Sequence, residues 1–219
     1  MAKGKKRSSD SNKNTGKSSA KRTAAKRFER IFPWSIIAAG VIGLAASFAL
    51  AVETVNYIRD PQASLSCSIN PIVNCSSVID TPQGEVLGFM NPLIGVIGFS
   101  MLIVFGLAVF YGAKFPALIW QGAQAVSVLG LGFVHWLIYS SIYSLGSLCP
   151  YCMVVWLVTI MIAMQVTIRN INHGVFGGNP TIKRIGMHLA CNNGLYLIVW
   201  YALIAALIIQ HFGIDSLTA

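Results

Sequence analysis

Charged residues are scarce in this sequence of 219 residues, since Asp, Glu, Lys and Arg together make up only 11% of it. Apolar and aromatic residues make up 55%, and the mean hydropathy is +0.65. An ordinary soluble domain carries about 25% charged residues, so this composition excludes that class of protein. The chain instead contains long stretches without any charge, which suit the interior of a bilayer.

Four charge-free stretches are long enough to cross a hydrocarbon core, which takes roughly 20 apolar residues in a helix. The stretch between Lys114 and Arg169 is too long for one crossing, and the Ser, Gly and Pro at 144–150 indicate a turn within it. The sequence therefore predicts an all-α integral membrane protein with five transmembrane helices. The predicted spans are 33–52, 91–111, 116–139, 150–168 and 194–212.

Acidic residues are nearly absent from the first 30 residues, which hold two of them beside eleven of the sixteen Lys and Arg. Too few apolar side chains remain there for a core, so residues 1–30 are predicted to be a disordered tail. Such a tail could bind nucleic acid or anionic lipid. The simpler interpretation, with no nucleic-acid partner, is that its basic residues hold this end in the cytoplasm.

The same charges predict the orientation of the five spans. With the N-terminus inside, Lys114 and the segment from Arg169 to Arg184 also fall inside, whereas Arg59 falls outside. The C-terminus and the loop at 53–90 are then extracytoplasmic.

Cysteine is also rare, and the orientation separates the five cysteines of the chain. Cys67 and Cys75 lie in the first external loop, and Cys149 and Cys152 lie at the external mouth of the fourth span. Cys191 falls on the cytoplasmic side. Both close pairs are thus placed in the compartment that permits disulfides.

The strongest local motif is Cys149-Pro-Tyr-Cys152. If Cys149 caps the fourth helix, Cys152 lies one turn further along the same face, so the two sulfurs can bridge. The N–H groups and dipole of the helix terminus stabilise a thiolate there. A reactive pair beside the lipid phase favours redox chemistry over a purely structural role.

Three other interpretations of the cysteines and spans are possible. Zinc ligation is disfavoured because seven residues separate Cys67 from Cys75, whereas zinc ligands usually come in closer pairs, and no metal is expected. A transporter is disfavoured because the spans lack paired charges and broken-helix repeats. The main alternative is a structural membrane protein with two stapling disulfides, since exported loops are often cross-linked in this way.

Three sequence strings together resemble the vitamin K epoxide reductase family in its bacterial form. They are CSINPIVNC at 67–75, TPQGEVLGFMNP at 81–92 and CPYC at 149–152. The resemblance extends over roughly residues 33–168. It implies a four-helix bundle around a quinone of the menaquinone or ubiquinone type, with the first external loop folded over its outer end and one helix in addition.

The resemblance also implies roles for the cysteines. Cys149 and Cys152 match the active-site pair, with Cys152 facing the quinone ring, and Cys67 and Cys75 match the shuttle pair. The implied activity is that of a quinone-dependent protein dithiol oxidoreductase, which accepts electrons at Cys67 and supports disulfide bond formation. A second family of quinone-linked disulfide oxidases has its C-x-x-C in the first external loop, so the order of the cysteines disfavours it.

Three quinone contacts follow from the resemblance. Asn91 matches an asparagine that hydrogen-bonds a quinone oxygen, and Thr81 stands where the family has a hydroxyl residue lining the loop. Trp156 occupies a position where some members have a tyrosine that contacts the quinone. Without the resemblance, Asn91 would be interpreted as a helix cap and Thr81 as part of a turn.

His135, near the external end of the third span, is a further candidate because an ionisable residue inside a membrane helix is often functional. It could donate a proton to the reduced quinone. A neutral histidine hydrogen-bonded to a neighbouring helix would look the same in the sequence.

The expected partner and location complete the hypothesis. Many bacterial members of the family continue into a fused thioredoxin-like domain, whereas this sequence stops at Ala219, so the expected electron donor is a separate exported thioredoxin-like protein. The electron acceptor would be the quinone pool, and the expected location is the bacterial plasma membrane.

Overall fold

The structure is a computed structural model, which describes residues 4–62, 65–70, 72–79, 81, 84, 88–177 and 179–213, with side chains at Thr23 and from Lys26 onward. The described helices are α1 (Gly4–Arg59), α2 (Ser76–Ile79), α3 (Asn91–Phe110), α4 (Ala117–Tyr139), α5 (Pro150–Asn172), α6 (Pro180–Cys191) and α7 (Asn193–Phe212). A π-helical turn, Ser140–Leu145, extends α4.

The prediction of an all-α protein with five transmembrane helices is confirmed. Helices long and apolar enough to cross a membrane cover Lys26–Arg59, Asn91–Phe110, Ala117–Leu145, Pro150–Asn172 and Asn193–Phe212. The third and fourth spans run beyond their predicted ends at 139 and 168. In the third span the π-helical turn continues the helix where the sequence predicted a loop.

The N-terminal segment differs from the disordered tail predicted for 1–30, because α1 continues as a single helix back to Gly4. Residues 1–3 lie outside the described part of the chain. The physical reason is that the transmembrane span already supplies the helix nucleus, so further turns add to it without the cost of nucleation. Lys, Arg and Ala, which are frequent in this segment, are also good helix formers.

The bundle itself is formed by α1, α3, α4 and α5. Its inner half is an apolar cluster that includes Phe32, Phe99, Trp120 and Val166. Close approach of α1 to α3 depends on small residues, as is usual in membranes. A Cβ atom at Gly43 of α1 would lie only 2.5 Å from the Phe99 ring.

Two further helices lie outside the bundle. The twelve residues of α6 are too few to span the bilayer, and Asn179 caps this helix by accepting a hydrogen bond from the Thr181 N–H at 3.0 Å. The sequence prediction missed α6. α7 is fastened to α5 by Tyr201, whose hydroxyl donates to the Leu157 carbonyl at 2.8 Å.

Candidate active site

The structure brings the four predicted redox cysteines together at the external end of the bundle. Cys67 and Cys75 form a disulfide, while Cys149 and Cys152 are free thiols. The Cys149 sulfur lies 3.3 Å from the Cys75 sulfur. Cys67 is 3% exposed, and Cys75 and Cys149 are fully buried. The Cys67–Cys75 disulfide and the pair of Cys149 and Cys152 are therefore in direct sulfur-to-sulfur contact.

A parallel backbone bridge between two loops explains this contact. Val73 of the first external loop pairs with Leu148, which precedes α5. The Asn74 N–H donates to the Leu148 carbonyl at 3.0 Å, and the Leu148 N–H donates to the Ile72 carbonyl at 2.7 Å. Cys75 follows Asn74 directly and Cys149 follows Leu148 directly, so the bridge delivers the two cysteines side by side.

Two asparagines shape the loop segment that enters this bridge. The Asn70 side-chain oxygen accepts hydrogen bonds from the Ile72 and Val73 N–H groups at 3.0 and 2.7 Å. The Asn74 side-chain oxygen accepts one from the Ser76 N–H at 3.0 Å. The sequence prediction missed both residues, although asparagine often forms such turns with the backbone two residues on.

Cys149 caps α5, as the sequence predicted. Its sulfur accepts a hydrogen bond from the Cys152 N–H at 3.5 Å, and Pro150 occupies the first turn. Hydrogen bonds from the Cys152 thiol and from the N–H groups of Cys152 and Tyr151 hold the pKa of Cys149 below its ordinary value, against burial, which raises it. A lowered pKa favours the thiolate, which is the form that attacks or leaves in exchange.

An apolar cavity of about 540 Å³ begins beside Cys152 and continues between α1, α3, α4 and α5. Asn91 and Phe105, both on α3, are among the residues that line it. At 1.5 Å per helical residue, the distance along α3 between them gives the cavity a depth of about 20 Å. Val78 and Ile79 line its outer end. Cys67, Cys75 and Cys149 lie outside the described lining, so Cys152 is the cysteine that meets the cavity.

Two of the predicted quinone contacts, Asn91 and Trp156, line this cavity. Asn91 lies in the first turn of α3, which begins after Met90, so it is not the cap of that helix. Trp156 is 3% exposed, and its indole N–H has no hydrogen-bond partner within the described residues. A buried donor without a partner is costly, and a bound acceptor would satisfy it.

The other two predicted contacts, Thr81 and His135, are not among the described residues that line the cavity, and their quinone contacts stay predictions. The Thr81 hydroxyl donates to the Val78 carbonyl at 2.8 Å, so it closes the turn after α2. The His135 Nε2 atom accepts from the Trp200 indole at 3.2 Å, which leaves the proton on Nδ1, 2.8 Å from the Leu131 carbonyl. Both histidine nitrogens are therefore engaged away from the cavity, and this residue fastens α7 to α4.

The sequence predicted that the first external loop covers the cavity, and the described residues show this cover only in part. Val78 and Ile79 line the outer end of the cavity, whereas Phe89 lies outside the described lining and is 43% exposed. Val86 and Leu87, which the sequence placed on the same apolar face, lie outside the described residues.

Comparison with known proteins supports this site. Residues 34–167 match the model of the vitamin K epoxide reductase family, which is more than half of the 219 residues. The match begins within α1 and ends within α5, so it covers α3 and α4, parts of α1 and α5, and the four cysteines of the site. No curated protein matches the chain.

Proposed function

The chain belongs to the vitamin K epoxide reductase family, and from that premise we propose that it is a membrane thiol oxidase passing electrons from an exported thiol protein to a quinone. The family implies a membrane oxidoreductase; the donor, the relay and the acceptor are the proposed part. The observation that carries the proposal is the 3.3 Å distance between the sulfurs of Cys75 and Cys149. Reacting atoms about 3 to 3.5 Å apart are close to the geometry of attack.

The donor dithiol first reduces the Cys67–Cys75 disulfide and leaves as a disulfide itself. Transfer within the chain then takes two further thiol-disulfide exchanges. The Cys75 thiolate attacks the Cys149 sulfur of an oxidised active-site pair, so a Cys75–Cys149 bond forms and Cys152 leaves as a thiolate. The Cys67 thiolate then attacks Cys75, closing the Cys67–Cys75 disulfide and releasing Cys149. One dithiol is oxidised and one disulfide is reduced, and the reduced active-site pair lies beside the cavity.

The cavity fits a quinone by size and by chemistry. Its 540 Å³ falls within the roughly 300 to 1,000 Å³ of small-molecule sites, and its lining is mostly apolar with a few polar groups. A bound quinone would accept two electrons and two protons from the relay. Asn91 and Trp156 would hold it by donating hydrogen bonds to its oxygens, and Val78 and Ile79 would exclude water. The inner part would take an apolar tail.

The donor is proposed to be a separate thioredoxin-like protein on the extracytoplasmic side of a bacterial plasma membrane. The positive charges on α1 and around α6 support that orientation, because Lys and Arg stay in the cytoplasm. About 30 mV between donor and acceptor corresponds to about 1.4 kcal/mol, so a modest difference in potential drives the electrons toward the quinone.

A protein with two structural disulfides is the alternative. Two independent staples would have no reason to place a free thiol against the disulfide of the other loop. The contact of Cys149 with Cys75 therefore favours exchange.

The test of the proposal is an oxidation assay with purified protein in lipid nanodiscs. A reduced exported thioredoxin-like protein is the donor, menaquinone and ubiquinone analogues are the acceptors, and quinone absorbance is followed. We expect loss of donor thiols to match formation of quinol. A cooperative thermal unfolding transition shows that the purified protein is folded. If such protein gives no turnover with any donor or acceptor, the structural alternative is favoured.

Filling the cavity is expected to weaken quinone use without disturbing the fold. Gly98 lines the cavity, and no atom lies within 4 Å of an added Cβ. Gly98→Leu is expected to raise the quinone KM roughly tenfold, since a pocket that is one side chain too small loses about 1 to 3 kcal/mol. Gly132→Leu is the matched control, because that glycine is equally open but lies outside the described lining. Equal effects of the two variants would argue against this binding site.

Trp156→Phe tests the indole N–H. Phenylalanine retains most of the aromatic bulk but removes the buried donor, so the ligand-free protein is expected to unfold at the same or a higher temperature. The affinity for quinone is expected to fall about threefold to tenfold, measured by quenching of fluorescence or by the thermal shift with added quinone. A variant that binds quinone as tightly as the parent protein would exclude the hydrogen bond.

A further inference from the structure

Ser147, two residues before Cys149, is not among the predicted site residues and has no role in the relay described above. We propose that Ser147 is a positioning residue that keeps the first external loop in register with the segment before α5, so that Cys75 stays opposite Cys149. This inference rests on the proposed function for its biological meaning. The positioning itself is a property of the folded protein alone.

The hydrogen bonds of Ser147 join the two loops to the bundle. Its hydroxyl lies 3.0 Å from the Ile72 carbonyl and 3.3 Å from the Asn74 carbonyl, to which it donates in a shared hydrogen bond. Its own N–H donates to the Ser141 carbonyl at 3.2 Å. Ser147 is 2% exposed, so these bonds are shielded from water. The π-helical turn, Ser147 and the cysteine loop thus form one connected unit.

The position of these contacts explains why they matter. The two carbonyl groups belong to the residues on either side of Val73, which is the residue paired with Leu148. Without the Ser147 hydroxyl, the bridge retains only the two backbone hydrogen bonds of Asn74 and Leu148. A pairing this short is marginal by itself, and a slip of one residue would turn Cys75 away from Cys149.

Positioning by Ser147 affects the Cys75–Cys149 disulfide and not the Cys149–Cys152 disulfide. The bond between Cys75 and Cys149 joins the two loops that Ser147 holds together. The bond between Cys149 and Cys152 lies within the first turn of α5, where the helix sets the geometry. Loss of the hydroxyl is therefore expected to weaken the first bond selectively, whereas a general loss of stability would weaken both.

The experiment measures the effective concentration of each cysteine pair in glutathione redox buffers. Cys67→Ser/Cys152→Ser/Cys191→Ala leaves Cys75 with Cys149, and Cys67→Ser/Cys75→Ser/Cys191→Ala leaves Cys149 with Cys152. Oxidised glutathione takes up the two electrons as each disulfide forms, giving two reduced glutathiones. Alkylation and peptide mass spectrometry then give the fraction of each disulfide.

Adding Ser147→Ala is expected to lower the effective concentration of the Cys75 and Cys149 pair roughly fivefold to tenfold, and that of Cys149 and Cys152 by less than about twofold. Ser141→Ala is the matched control, a serine of the π-helical turn that is similarly buried at 5% exposure. Ser147→Thr keeps the hydroxyl, so its effective concentration for the Cys75 and Cys149 pair is expected to stay close to that of the protein with Ser147. Thermal unfolding of each variant shows that the fold is intact.

An equal fall for both pairs, or no fall for either, would overturn the positioning role. The positioning role would also be overturned if Cys75 and Cys149 formed no disulfide in the protein that retains Ser147. The measurement uses neither quinone nor a donor protein, so its outcome is separate from that of the proposed function. In the oxidation assay, Ser147→Ala is expected to slow donor-driven turnover by the same factor.

Discussion

Replacing Cys152 with alanine is expected to reduce donor-driven quinone reduction by a factor on the order of a thousand or more. Cys152 is the cysteine that lines the cavity, whereas the other three external cysteines lie outside its described lining. None of them can substitute for it without a rearrangement of α5. Removal of a group that forms a covalent intermediate commonly costs at least this much in kcat.

The measurement is steady-state turnover followed by quinone absorbance, and Cys191→Ala is the matched control because that cysteine is exposed on α6. The disulfide state gives a second signal. Cys149 in the Cys152→Ala variant has lost its partner on α5. We expect its thiolate to attack the Cys67–Cys75 disulfide, which forms a Cys75–Cys149 disulfide and releases the Cys67 thiol, as detected by non-reducing peptide mapping. Retention of turnover in Cys152→Ala would mean that electrons reach the acceptor elsewhere.

Cys75→Ser is expected to separate the two halves of the relay. Cys75 is the shuttle cysteine whose sulfur contacts Cys149, so donor-driven turnover should fall by a factor on the order of a thousand. The active-site pair remains intact in this variant. After chemical reduction, Cys75→Ser should therefore still reduce about one equivalent of quinone in a single turnover and then stop.

A stopped-flow assay with prereduced protein measures that single turnover, and Cys191→Ser serves as the control. Continued turnover with the donor protein in Cys75→Ser would show that the donor reacts directly with Cys149. Loss of the single turnover would show that the substitution damages the active-site pair itself.

The transmembrane helices could be predicted because the bilayer constrains composition directly. Within hydrocarbon a spanning helix must be apolar over its whole length, so the charge-free stretches predicted each of the five spans. The cap at Cys149 was also predictable, since a cysteine before proline at a helix start leaves few alternatives. The length of α1 was not predictable in the same way. The polar composition of the first 30 residues indicates disorder, whereas their helix depends on its continuity with the transmembrane span.

The details of the site depended on contacts that leave no pattern in the sequence. The bridge between Val73 and Leu148 uses backbone atoms, so no side chain marks it. The direction in which His135 points is decided by Trp200 on α7, which lies far along the chain. Thr81 was assigned by position in a family, but its hydroxyl is used locally by the Val78 carbonyl. The resemblance identified the correct elements, and packing decided which side chains face the cavity.

The burial of the cysteine cluster also limits which molecules can react with it. Cys67 and Cys75 are closed off from water, and next to them the Ser66 hydroxyl donates to the Glu53 carboxylate and lies 3.4 Å from the Tyr151 hydroxyl. Small thiols and oxidants in solution therefore have little access to these sulfurs, whose exchange rates depend on exposure. In the proposed relay, a donor protein would have to displace these contacts as it docks, so we expect the shape and charge of the surrounding surface to select the donor.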